Sequence, residues 1–160
     1  MYIKDIVDED FQDYKKPSMM VAFPICDFKC CREAGMDEGL CQNSAIAKQP
    51  SVDIPAAKIA QRYIKNSITE AIIFAGLEPM VTFTDVISLV EELRRVTDDD
   101  IVIYTGYDRD EIQLYVNRLK SYKNIIIKYG RFIPNQPHHY DSVLGIELAS
   151  PNQYAERLSL

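Results

Sequence analysis

The sequence predicts an α/β fold, a parallel β-sheet with helices packed on it. Short apolar runs of strand length recur along the chain, and stretches with apolar residues at helical spacing separate them. Strands covered by crossover helices are buried on both faces, so they read as continuous rather than alternating hydrophobic runs. Size agrees: 160 residues, 47% of them hydrophobic, make one ordinary domain able to bury a core without disulfides. No internal repeat, low-complexity segment or linker interrupts the chain. Residues 1–160 are therefore expected as a single domain, with 1–17 as an N-terminal edge segment.

Each element follows in order. Tyr2, Ile3, Ile6 and Val7 suit a short edge strand. Ser18 to Ile25 (SMMVAFPI) is an apolar run of strand length that Pro24 ends. The next stretch, Cys26 to Asn43, holds Gly35, Asp37, Glu38 and Gly39, the composition of a solvated excursion, and Ser44 to Ser51 reads as loop. From Asp53 the pattern is helical, with Asp53 able to cap, Pro55 suited to the first turn, and Ile59, Tyr63 and Ile64 at helix spacing. Glu70 to Ala75 is a strand closed by the turn Gly76-Leu77-Glu78-Pro79. Thr82 or Thr84 is placed to cap a helix through Val96 with Val86, Leu89, Val90, Leu93 and Val96 on one face. Asp98 to Asp100 reads as a solvated connecting turn. Ile101 to Tyr104 is a strand ending at Thr105-Gly106, Asp108 to Lys120 a helix with Ile112, Val116 and Leu119 inward, and Ile125 to Lys128 a further strand. Gly130-Arg131-Phe132 leads into an irregular segment from Pro134 to Tyr140. Val143 to Leu148 is a last strand, broken by Ser150 to Gln153.

Charge excludes some functions. The formal net charge is −6, whereas a nucleic-acid binder needs a basic stripe against phosphates and an anionic membrane attracts basic patches. The N-terminal sixteen residues lack the apolar run of a signal peptide, and no later run is long enough to span a bilayer. The expectation is a cytoplasmic protein that binds neither nucleic acid nor membrane.

All four cysteines, Cys26, Cys30, Cys31 and Cys41, fall in one loop, CDFKCCREAGMDEGLC. In a reducing compartment such a cluster points to metal ligation rather than disulfides. Buried free thiols acting as small hydrophobes would instead be scattered over strands and helices. A structural zinc site wants four ligands, often as two spaced pairs, but Cys30 and Cys31 are adjacent and no second spaced pair exists. A cluster held by four cysteines meets the same difficulty. Three thiolates on an iron–sulfur cubane fit better and leave one iron open, as a reaction site requires. In a parallel sheet, reactive groups gather on the loops after the strands' C-terminal ends. The cysteine loop, the Gly-Leu-Glu-Pro turn, the Thr-Gly-Tyr turn and the Gly-Arg-Phe turn all fall there.

These motifs resemble those of radical S-adenosylmethionine enzymes, in particular the small activating protein of anaerobic ribonucleotide reductase. That family shows a cysteine, three residues, a cysteine, two residues and a cysteine. Cys26-Asp-Phe-Lys-Cys30 keeps the first spacing, and Cys41-Gln42-Asn43 is similar to the Cys-His-Asn at the third cysteine, with Cys31 to Leu40 as an insertion between them. Phe74 to Pro79 resembles the Gly-Gly-Glu-Pro turn, and Ile103 to Tyr107 resembles the Trp-Thr-Gly-Tyr strand end. Tyr129 to Phe132 resembles the Asp-Gly-x-Phe turn with Tyr129 replacing the acid, and Gly145 to Gln153 resembles the closing Gly-Ser-x-Asn-Gln. The likeness spans residues 18–157, with the motifs in matching order.

The resemblance implies an incomplete parallel (β/α) barrel of the radical SAM type, open on one side for a protein substrate. It implies a [4Fe-4S] cluster on Cys26, Cys30 and Cys41, with Cys30 or Cys31 open as the second ligand. It further implies S-adenosyl-L-methionine held by Gly76, Leu77, Glu78, Pro79, Tyr104, Thr105, Gly106 and Asn43, with Tyr107 nearby. The implied activity is reductive cleavage to a 5'-deoxyadenosyl radical, which generates a glycyl radical on the large subunit of anaerobic ribonucleoside-triphosphate reductase. A small donor such as flavodoxin would supply the electron, and no residue beyond cluster and cofactor is implied as catalytic. Activation of another glycyl-radical enzyme, radical modification of a peptide, or a non-enzymatic electron carrier or redox sensor are the alternatives. His138 and His139, the only histidines, read as solvent-facing. Arg131 reads either as meeting a carboxylate of cofactor or partner, or as a surface ion pair.

Overall fold

A computed structural model describes residues 1–160. The N-terminus forms β1 (Tyr2–Ile3) and β2 (Asp5–Asp10), and β3 (Ser18–Phe23) leads into the cysteine loop. That loop carries α1 (Lys29–Glu33), a 3-10 turn at Glu38–Leu40 and α2 (Ser44–Ala47). Next come β4 (Val52–Asp53), α3 (Ala56–Lys65), β5 (Ala71–Gly76), α4 (Phe83–Arg94), β6 (Asp100–Tyr104), α5 (Gln113–Leu119) and β7 (Ile125–Tyr129). The chain ends with β8 (His139–Asp141), β9 (Ile146–Leu148) and β10 (Tyr154–Arg157).

The main sheet has the order β10-β7-β6-β5-β3-β2. Its four central strands, β3, β5, β6 and β7, are parallel neighbours. β2 and β10 close the two sides antiparallel. Because strand order follows chain order, the crossovers through α3, α4 and α5 lay all three helices on one face. Alternate residues face those helices: Val21 and Phe23, Ile72 and Phe74, Ile101 and Ile103, Ile125 and Ile127 join Ile59, Leu89, Leu93 and Val116 in the main core. Each such fully buried side chain contributes about 1.5–3 kcal/mol. The intervening residues Ala71, Ile73, Val102 and Ile126 face the other way, where Tyr14, Leu144 and Leu148 cover them. Both faces are buried, so the predicted α/β sheet and its apolar strands agree with the structure.

Local differences have local causes. Asp53 does not cap a helix; Val52–Asp53 pairs with Tyr2–Ile3, and the Asp53 carboxylate lies 3.4 Å from the N-terminal ammonium. The chain becomes helical only at Ala56, after Pro55. Neither threonine caps α4. Thr82 stands at the N-cap position with its hydroxyl unbonded, because the helix is entered through a 3-10 turn, Pro79–Thr82, whose first N–H groups face Glu78. The helix expected from Asp108 opens as a 3-10 turn, Arg109–Ile112, with Glu111 accepting from the Asp108 N–H at 2.8 Å. The "irregular" segment supplies β8, which pairs with β9. β10 lies beyond the break at Ser150–Gln153 and was not foreseen. The cysteine excursion and the Ser44–Ser51 loop carry the short helices α1 and α2.

Candidate cluster and cofactor site

The four parallel strands point their C-terminal ends the same way, and the turns that follow them meet at one cavity of about 400 Å³. Backbone bonds tie these turns together: Glu78 N–H donates to Ile25 O at 2.8 Å, Thr105 N–H to Lys128 O at 2.9 Å, and Gly130 N–H to Tyr107 O at 3.1 Å. The closing segment locks the last turn, with Asn152 Nδ2 donating to Arg131 O at 2.9 Å.

All four cysteines are free thiols that line this cavity. Phe28, with φ +53, makes the sharp entry into α1, a left-handed residue that costs roughly 1–2 kcal/mol. Its N–H donates to Cys26 Sγ at 3.2 Å. Cys30 packs on the Thr105-Gly106 turn so closely that a Cβ on Gly106 would lie 2.8 Å from its sulfur. Cys31, one residue on, is buried and lies beside the Cys41 thiol. Burial pushes the Cys26 thiol up to about 12, against the Phe28 N–H and with Glu78, Asp27 and Cys30 adding to the rise. Burial raises Cys30 too, and with Cys41 alongside it raises Cys31 to about 11. Iron binding to these thiols therefore displaces their protons. No three His, Cys, Asp or Glu side chains converge as ligands of a single ion do; an iron–sulfur cubane instead takes its thiolates at separate corners. Thiols distributed round a cavity fit that group. The stretch Arg32–Leu40 lies on the surface, as expected, with Met36 its only partly covered residue.

Of the eight expected cofactor residues, Asn43, Gly76, Leu77, Glu78, Tyr104, Thr105 and Gly106 line the cavity. Pro79 lies buried beneath the turn as the first residue of the 3-10 segment. Gly76 has φ +82, and a Cβ there would collide with Ala22 at 2.7 Å, so the turn needs glycine. Glu78 is buried; one oxygen accepts from Gly106 N–H at 2.8 Å, the other from Met80 N–H at 3.0 Å. Burial pushes its carboxyl up, while the Gly106, Met80 and Thr105 donors oppose the rise. A carboxylate offers about four acceptor sites, so Glu78 keeps capacity for a ligand's ammonium. Tyr107 does not line the cavity; its hydroxyl donates to Asp27 at 2.5 Å. His139 is half-buried and bonds Gln153 O at 2.7 Å, while His138 is exposed.

Lys128 is the residue the sequence reading missed. It pairs in register with Tyr104, on the sheet face away from the helices. It is buried at the cavity wall, with Nζ 5.7 Å from the Tyr104 ring centroid and only a 3.5 Å contact to Gly130 O. Burial lowers its ammonium to about 8, and Cys30 and Glu78 hold it from falling further. The available signal was a charge ending an otherwise apolar strand, IIIKY. The cavity therefore combines four soft thiols, one buried carboxylate and one buried ammonium.

No helix is long and apolar enough to cross a membrane. Comparison with curated proteins and with solved structures gives no match. The family model described as "4Fe-4S single cluster domain" matches residues 21–148, from within β3 through β9, a range that holds all four cysteines, Glu78 and Lys128. That match takes in well over half of the 160 residues, and the chain belongs to the 4Fe-4S single cluster domain family.

Proposed function

We propose that this protein is a radical S-adenosylmethionine activase. Its [4Fe-4S] cluster is held by Cys26, Cys30 and Cys41, and its substrate is a glycine of anaerobic ribonucleoside-triphosphate reductase. The observation that carries the reading is the meeting of thiols with the buried Glu78 and Lys128 in one cavity of about 400 Å³. An electron carrier needs the thiols and no charged small-molecule subsite. An amino-acid moiety needs both an acceptor for its ammonium and a cation for its carboxylate, and charge-assisted hydrogen bonds are the stronger kind.

A [4Fe-4S] cluster bound there would supply the one electron for reductive cleavage of S-adenosylmethionine to methionine and a 5'-deoxyadenosyl radical. The chain's residues hold the parts in position. Glu78 takes the ammonium, Lys128 the carboxylate, and the Gly76 and Gly106 backbones allow close approach. Tyr104, Ala75 and Met20 provide the wall that keeps water from the reacting end. The open-sided barrel fits the helix-free side of the sheet, where only the segment through Tyr14 and the β8–β9 hairpin give cover. A flavodoxin-like donor supplies the electron.

The test is anaerobic reconstitution with iron and sulfide, then an assay for 5'-deoxyadenosine and methionine under reducing conditions. Equal amounts of both are expected, with a glycyl radical when the reductase is present. Cleavage without a radical on that reductase would redirect the reading to another glycyl-radical enzyme or a peptide substrate. A cluster that forms and is reduced without any cleavage would leave an electron carrier or redox sensor.

A further inference from the structure

We infer that Arg131 is a positioning residue for the cluster loop: it clamps the helix bearing Cys30 onto the Gly106 turn. The inference rests on the cluster reading above. The loop has little apolar burial to hold it, since Cys31 is the one buried side chain of α1. Ionic contacts take that role. The Arg131 side chain is 10% exposed and uses its whole fork. Nε donates to Glu33 Oε2 at 2.7 Å, and one terminal nitrogen donates to Glu33 Oε1 at 3.3 Å and Glu111 Oε1 at 2.7 Å. The other terminal nitrogen donates to Gly106 O. Lys29, in the first turn of the same helix, pairs with Glu111. The guanidinium also lies over the Tyr107 ring, 5.5 Å from its centroid, while the Tyr107 hydroxyl holds Asp27.

Three segments distant in sequence thus meet at one cation. Glu33 belongs to the cysteine loop, Gly106 and Glu111 to the turn after β6, and Arg131 to the turn after β7. Gly106 is also where Cys30 sits with no room for a Cβ. A shift of α1 by one ångström would separate Cys30 from that seat. Arginine is required rather than lysine because a planar fork can bind two carboxylates and a carbonyl at once. Arg131 also brings a fixed positive charge toward Cys30, which stabilises electron density on a ligated cluster.

The experiment compares wild type, Arg131→Gln, Arg131→Lys and the double variant Glu33→Gln/Glu111→Gln, each as the full chain. Three quantities are read: iron release to a chelator, the midpoint potential of the cluster, and amide hydrogen exchange of residues 27–41 in the iron-free protein. Arg131→Gln should release iron and exchange its loop amides at least tenfold faster, with β5, β6 and β7 unchanged, and its potential should move negative. Arg131→Lys should restore the potential but not the release rate. The double variant should release iron faster although Arg131 is intact, and it decides the matter if Arg131→Gln does not fold. Release and loop exchange within twofold of wild type in a folded variant would overturn the clamp. Wild type that takes up no cluster would overturn the cluster reading instead, and loop exchange in the iron-free protein would still decide the clamp.

Discussion

At the scale of single residues, the site depends on side chains whose partners lie far away in sequence. The cysteines were legible because thiols within one polar, glycine-containing loop have few other uses. Glu78 was legible only as part of a turn, and Lys128 was not, because its burial comes from strand pairing with Tyr104 rather than from its neighbours. Two predictions belong here. Iron content should fall to near background in Cys26→Ser, Cys30→Ser and Cys41→Ser and stay near wild type in Cys31→Ser. Loss in Cys31→Ser with retention in Cys30→Ser would reverse the ligand register. The contact between Cys31 and Cys41 makes this a real contest. Glu78→Gln should retain the cluster but bind S-adenosylmethionine about ten- to a hundredfold more weakly, since a charge-assisted bond is worth about 1.5–3 kcal/mol. Glutamine also brings only one carbonyl to the Gly106 and Met80 donors, so the variant should lose roughly 1–3 kcal/mol of stability. Paramagnetic resonance of the reduced cluster with and without cofactor measures the first effect and denaturant unfolding the second.

At the scale of elements, the parallel strands and α3, α4 and α5 could be read from hydrophobic periodicity, because they are long enough to repeat. The elements that escaped are short or at the edges. β4, β8 and β10 have two to four residues each and exist through pairing rather than propensity. The left-handed Phe28 that opens α1 has no sequence signal, since it is neither glycine nor asparagine. At one wall of the cavity the cysteine helix and the turn after β6 meet at Cys30 and Gly106 with no room for a Cβ. Gly106→Ala should therefore displace Cys30, whose sulfur would lie 2.8 Å from the new methyl group. The expected result is a protein with unchanged far-UV circular dichroism that takes up at most half the iron of wild type. Full cluster content in that variant would mean that the cysteine helix is not seated on the turn.

At the scale of the whole molecule, the chain is fastened at the end opposite the cavity by a group the sequence reading misjudged. Asp98 to Asp100 looked like a solvated turn, yet Asp100 begins β6 and is 5% exposed. Its carboxylate accepts from Tyr14 Oη at 2.9 Å, Lys16 Nζ at 2.7 Å and Arg157 at 2.8 Å. It so joins the N-terminal segment, the central sheet and β10, contacts that adjacent acidic neighbours in sequence cannot announce. Burial alone would raise this carboxyl, but the Arg157, Lys16 and Tyr14 hydrogen bonds outweigh it and hold the group down at about 2, from an ordinary 3.8. A carboxyl depressed by folding stabilises the protein above its unfolded value, and that contribution is lost as pH falls through the folded value. Lys16 is 39% exposed, so the contribution is taken as about 2 kcal/mol. Asp100→Asn should lower stability at pH 7 by roughly that amount and the melting temperature by about 4–8 °C. Between pH 4 and pH 2 the variant should lose less stability than wild type, because one acid-sensitive group is gone. Denaturant midpoints of both proteins across that range make the comparison, and parallel curves would show that Asp100 is not the fastening the geometry indicates.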